Sequence, residues 1–282
     1  MKIPSYWVRE TRELPQGAGK MKLRGVSDVS MQDARRRLEE RAQLRLAFAA
    51  GELSVDSLRE RLRRMDGYDA SGETEGYEAD ICEPIVQKVD EQNIVTRNRY
   101  GALVLNTTSL CFADVDHVSG GFLNTLAQLF GGGKSEEELL IERVRSLCAA
   151  NDNLSVRLYR TAAGFRLVLA GDYLALDSVA LQGLFRALEV DSLYSKLCAQ
   201  QGCFRARLTP KPSRVGVKRA PYCADSESAP ATLADWIPAY EAACASYSVC
   251  RLVEQFGRPI SHPALTLHDT LTGARLPDSC LA

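Results

Sequence analysis

The spacing of apolar residues along this chain changes character near Ile94. Upstream, Leu38, Ala42, Leu46 and Ala49 recur at helical intervals among arginines and glutamates. Ser30 is placed to cap that segment, Asp33 to sit in its first turn and Gly51 to stop it, which predicts an amphipathic helix to about Ala50. A second short helix is predicted from Ser54 to near Gly67. The N-terminal stretch mixes Pro15, Gly17, Gly19 and Gly25 with charge and reads as a loosely attached lead-in; Tyr68–Asp80 reads as an acidic, glycine-rich loop.

Downstream the period shortens. Ala102–Asn106 and Leu110–Asp116 read as neighbouring strands, Ser155–Arg160 and Phe165–Ala170 as a hairpin around Thr161–Gly164, and Cys203–Thr209 as a strand ended by Pro210 and Pro212. Ser135 with Glu138 forms a capping box for a helix carrying Leu140, Val144 and Leu147. Asp177 can cap a helix through Leu188, and Asp191 is placed to cap a shorter one over Leu193–Ala199. A long helix is predicted from about Leu233 to Gln255, with Trp236, Tyr240 and Tyr247 on one stripe, before a tail rich in proline and glycine. The fold predicted is α+β: an antiparallel or mixed sheet with helices on one face. Its organisation is an N-terminal helical appendage over 1–90 and an α+β core over 91–282.

Composition narrows the classes. With 282 residues, 45% hydrophobic and 25% charged, the chain can bury a substantial core and is not a disordered sequence. A net charge of −1 gives the chain as a whole no pull toward nucleic acid or anionic membrane, although its 35 lysines and arginines leave room for a locally basic face. No apolar run approaches the ~18–20 residues of a membrane span, and the N-terminus lacks the apolar core of a signal peptide. A cytoplasmic chain without a membrane partner is therefore expected. The nine cysteines are odd in number, and Cys111, Cys148 and Cys250 lie in apolar patterns, so buried free thiols are expected rather than bridges.

Candidate chemistry follows from which side chains share a face. In a strand, Asp114 and Asp116 project together while Ala113 and Val115 face the other way; Arg205 and Arg207 likewise project together. A tight turn at Thr161–Gly164 pairs Arg160 with Phe165 and Tyr159 with Arg166, so Arg157, Tyr159 and Arg166 share a face. If these polar faces lie on one side of one sheet, it presents two carboxylates beside several guanidiniums. Paired carboxylates hold Mg²⁺, and arginines neutralise phosphates. A sheet with one wet face carries such charges without any site as well. His117, following the acidic pair, is a candidate third ligand.

In order, the segments Phe112–Asp116 (FADVD), Thr161–Arg166 (TAAGFR), Val190–Asp191 and Phe204–Lys211 (FRARLTPK) resemble the motifs of the archaeo-eukaryotic primase superfamily. That resemblance implies an RRM-like core and a metal-dependent nucleotidyltransferase acting on nucleic acid. Asp114, Asp116 and Asp191 would then be catalytic ligands of Mg²⁺ or Mn²⁺, with Arg166, Arg205, Arg207 and Lys211 near phosphate. The family's motif histidine is absent, and Arg166 stands roughly in its place. Two readings therefore stay open: a primase-like enzyme, or a non-catalytic module on the same fold that binds nucleic acid, nucleotide or a protein partner. The chain is also similar to a group of uncharacterised bacterial proteins with comparable YRTAAGFRL and CFRARLTPKP segments.

Overall fold

A computed structural model of the chain describes residues 1–14, 19–66, 80–118, 132–171, 174–176 and 178–282. The class is α+β, and its larger sheets are antiparallel. The chain divides into two compact units, Lys2–Pro84 with Pro221–Trp236, and Ile85–Ala220 with Ile237–Ala282.

The first unit opens on a hairpin, not a loose lead-in. Strands β1 (Tyr6–Glu13) and β2 (Lys20–Ser27) pair antiparallel from Tyr6↔Ser27 to Glu13↔Lys20, while Pro15 and Gly17, which suggested looseness, lie outside the described residues. Helix α1 (Met31–Ala49) buries Leu38 and Ala42 with Met21 and Leu23 of β2. Ser30 caps it as expected, its side chain accepting from the Asp33 N–H. Gly25 lets the helix approach: a Cβ there would lie 1.8 Å from the Ala34 carbonyl oxygen. Helix α2 (Val55–Asp66) follows, close to its expected span. The Tyr68–Asp80 loop falls almost wholly outside the described residues. Segment 221–236 returns to this unit, where Arg9 N–H donates to the Ala224 carbonyl (2.7 Å) and Ser226 N–H to the Trp7 carbonyl (2.9 Å).

The second unit holds two four-stranded sheets. One runs β3 (Ile85–Lys88), β4 (Asn93–Arg97), β5 (Leu103–Thr107), β9 (Phe204–Arg207); the other runs β11 (Cys250–Phe256), β7 (Ser155–Thr161), β8 (Phe165–Ala170), β6 (Cys111–Val115). The strands around Thr107–Ser109 are therefore neighbours in sequence but belong to different sheets. The hairpin register is the expected one, with Tyr159 opposite Arg166 and Arg160 opposite Phe165. Gly164 holds that turn against the end of β6, since a Cβ would lie 2.3 Å from the Val115 carbonyl oxygen.

The sheet of β6 is covered on both faces, where helices on one were expected. Helix α3 (Glu136–Ala149), opened by the Ser135–Glu138 capping box, buries Leu140 and Val144 and reaches Arg160 and Glu254 through Glu137 and Arg145. On the Arg166 face lies helix α7 (Pro263–Thr272), whose His268 and Asp269 meet Tyr159 and Arg166. The expected proline-rich tail hides this helix: Pro263 opens it, and His262 Nδ1 accepts the Ala264 N–H. The long helix predicted to Gln255 stops at Cys244, as α6 (Ala231–Cys244). Beyond it, β10 (Tyr247–Ser248) pairs with β12 (Cys280–Leu281), and β11 completes the sheet edge against β7. Burying Cys250 and Phe256 in β11 outweighs the helical spacing of Trp236, Tyr240 and Tyr247.

Helix α4 (Val179–Ala187) is capped by Ser178; the expected cap, Asp177, lies outside the described residues. Helix α5 (Ser192–Gln201) carries Tyr194, whose hydroxyl reaches the Phe112 carbonyl (2.9 Å) on β6 and the Arg205 carbonyl (3.2 Å) on β9, tying the edges of the two sheets. All nine cysteines are free thiols. No helix among the described residues is long and apolar enough to cross a membrane.

Because the Gly164 contact is with backbone that cannot swing aside, Gly164→Ala should destabilise the fold by about 3 kcal/mol, the upper end for overpacking. Urea denaturation of the purified variant checks this; a change within error of zero would mean that the turn and β6 are not so closely joined.

Candidate functional site

Asp114, Arg166 and the backbone of Arg207 meet at the adjoining edges of β6 and β9. Ala113 and Val115 are fully buried, Asp114 is partly exposed and Asp116, just past the strand, is exposed. The alternation expected for this segment therefore holds. Its carboxylates are used differently from a metal site, however.

Opposite Asp114 stands Arg166, with only 3% of its side chain exposed. Arg166 Nε donates to Asp114 Oδ1 (2.8 Å) and Nη2 to Oδ2 (3.3 Å), so one guanidinium spans both carboxylate oxygens. Its Nη1 donates to the Arg207 carbonyl (2.8 Å) on β9. Burial by itself would favour the neutral guanidine, but the Asp114 carboxylate holds the group's pKa above its ordinary value. Arg166 thus fills the gap between the two sheets.

Behind it lies a network absent from the expected site. His268 is fully buried, with Nδ1 3.1 Å from Asp269 Oδ1 and Nε2 at a long 3.5 Å from Arg166 Nη1. A neutral imidazole with its proton on Nδ1 satisfies both contacts. Asp269 also accepts from the Tyr159 hydroxyl (2.7 Å) and Arg157 Nη1 (2.8 Å). Burial lowers the His268 pKa, Arg166 lowers it further, and Asp269 opposes both.

The other acids go elsewhere. Asp191 caps α5, its Oδ1 accepting the Leu193 N–H (2.9 Å), while its own N–H donates to the Asp114 carbonyl (3.1 Å). Asp191 is therefore beside Asp114 through its backbone, with its carboxylate turned to the helix. His117, the candidate third ligand, pairs with Glu136. Among the described residues no group of three His, Cys, Asp or Glu could hold a metal ion. Of the three acids expected to hold Mg²⁺ or Mn²⁺, the Asp114 carboxylate is engaged by an arginine and that of Asp191 by a helix terminus.

The cations lie differently again. Arg205 and Arg207 project together as expected, but from β9, in the other sheet. Arg207 Nε is buried and has no hydrogen-bond acceptor. Its pKa is pushed down to about 10, first by burial and then by the charges of Arg166 and Arg214; Asp114 opposes. Lys211, exposed on the loop after β9, is lowered by burial and by Arg207 and Arg214, with Asp116 opposing. Four cations thus raise the potential in one place. The sequence carried a signal for this: 203–223 contains six Lys or Arg (Arg205, Arg207, Lys211, Arg214, Lys218, Arg219) and no Asp or Glu.

Comparison with protein-family models, with curated proteins and with solved structures returns no match for this chain.

Asp114→Ala should cost on the order of 2 kcal/mol, less than the 3–5 of a fully buried pair because Asp114 keeps about a third of its exposure, and should be visible as a lower urea midpoint. An unchanged midpoint would make the pair a surface contact.

His268 gives a pH dependence of known sign. Its folded pKa lies below the ordinary ~6.5, so as pH falls the unfolded chain binds the proton first and stability rises with pH across that window. Loss of stability should begin near pH ~6.5 and level off below the folded value. The urea midpoint of the wild type should fall between neutral pH and mild acid, and that of His268→Gln should fall less; equal slopes would remove His268 as the cause.

Proposed function

We propose that this chain is a non-catalytic nucleic-acid-binding module that grips phosphates with the cation cluster at the end of β9. One observation carries the reading. Arg214 weakens the hold of both Arg207 and Lys211 on a proton and Arg207 adds to that at Lys211, Arg207 Nε has no acceptor, and the acid-free 203–223 stretch extends the cluster with Lys218 and Arg219. A fold that tolerates such mutual repulsion gains when an anion arrives, because the anion neutralises several cations at once. A polyanion that tracks along the basic stretch uses more of them than a lone phosphate does. The Asp114–Arg166 pair then serves to position β9: it anchors the Arg207 backbone and so sets where the Arg207 side chain stands.

A primase-like nucleotidyltransferase is the second reading. What favours it is the proximity of Asp191 to Asp114 across a 3.1 Å backbone hydrogen bond, which brings the acids of the resemblance to one corner of the fold. Against it stands the use of both carboxylates described above. If it is right, primer synthesis on a single-stranded template will appear with Mn²⁺.

The test is binding of a fluorescent oligonucleotide in EDTA at several salt concentrations. Wild type should bind at low salt, with log K falling linearly against log salt. Lys211→Ala with Arg214→Ala should flatten that slope by about 0.7 per lost cation, as expected for a single strand. No binding at low salt, or a slope unchanged in the double variant, would overturn the phosphate reading. Metal-dependent synthesis would replace it with the enzyme.

A further inference from the structure

We infer that the β4–β5 turn, Asn98–Gly101, is a base-stacking platform beside the phosphate cluster, so that the ligand is single-stranded rather than duplex nucleic acid. This rests on the phosphate-binding reading above and adds to it a contact made to bases.

The turn is built to hold its shape. Asn98 Oδ1 accepts three backbone N–H groups, from Tyr100 (3.0 Å), Gly101 (3.1 Å) and Ala102 (3.2 Å). Buried Arg97 donates through Nη1 to the Gly101 carbonyl (2.8 Å), and Gly101 takes a φ of 108°, which only glycine adopts freely. The product is a fixed turn that leaves Tyr100 45% exposed.

Its neighbours are the cluster's own residues. The Ala220 N–H donates to the Tyr100 carbonyl (2.9 Å), fastening the end of the basic segment to the turn. The Tyr100 phenol is close enough to Lys211 to act on its protonation. Arg99 lies over the ring, 4.8 Å from its centroid, with Nη2 donating to the Tyr100 hydroxyl (2.7 Å). A ring backed by a planar guanidinium is held in place and polarised, which suits it to stack on a base. Exposed single aromatics are common on protein surfaces. This one is set apart by its braced turn and by the cations that would carry the backbone past it. Bases in a duplex are stacked on one another and present no free face to such a ring; those of a single strand do.

The experiment measures fluorescence anisotropy at one low salt concentration in EDTA. It compares an oligothymidylate, an abasic strand of equal length and a duplex hairpin with the same number of phosphates, using wild type, Tyr100→Ala and Tyr100→Trp. Tyr100→Ala should bind the oligothymidylate about 10-fold more weakly, within the usual range for one stacked base. It should bind the abasic strand as the wild type does, and Tyr100→Trp should restore the affinity for oligothymidylate. Because Tyr100 is exposed, an unchanged melting temperature is expected and confirms that each variant is folded. If Tyr100→Ala binds oligothymidylate like wild type, or if the abasic strand or the duplex binds as tightly as oligothymidylate, the stacking platform is wrong while phosphate binding stands. If none of the three ligands binds, both readings fall.

Discussion

A single buried guanidinium determines how the larger unit is put together. Arg166 stands on β8 with one edge against Asp114 on β6, another against the backbone of β9 and its back to His268 on α7. A charge with 3% of its surface in water must have its donors satisfied where it is, so every neighbour is constrained in distance and direction. Tyr194 makes a second, neutral link between the same two strand edges. Between them the two sheets have little freedom to slide, and the position of the Arg207 side chain is inherited from that rigidity.

The local rules of the chain were readable before any coordinates. Ser30, Ser135 with Glu138, and Asp191 each have a short side chain at the head of an apolar stripe, and each caps a helix. Period-two spacing placed Tyr159 opposite Arg166, because a tight turn leaves a hairpin only one register that buries its apolar face. What could not be read depends on distant partners. The helical spacing of Trp236, Tyr240 and Tyr247 carries on toward Gln255, and only β7, far earlier in the chain, makes Cys250–Phe256 a strand. Nothing near Asp114 announces that Arg166 will claim both of its oxygens, and nothing near His268 announces that it will lie behind them. Asp191 shows the other side of this: a carboxylate with a good local role took that role.

Charge was readable, but at the wrong scale. A net of −1 over the whole chain conceals a stretch of 21 residues, 203–223, without a single acid, because acidic segments elsewhere cancel it. Electrostatic potential is local over about a Debye length, ~10 Å at moderate salt, so the sum over the chain says little about any one face. The structure then concentrates that stretch further, since Arg214 comes close enough to Arg207 and Lys211 to weaken their hold on a proton.

Both units are closed by chain that is synthesised late. The hairpin of β1 and β2 receives its contacts to Ala224 and Ser226 from far along the chain, and the sheet of β6, β7 and β8 gains its fourth strand and the helix carrying His268 from 250–272, well after β8. On the ribosome, neither unit can be finished while the other is still to come. Arg166 must therefore wait, charged and without the imidazole behind it, until α7 emerges. Loss of 263–272 would strip a partner from a buried cation, and a nascent chain stalled before it would expose that unfinished interior to the cell's quality control.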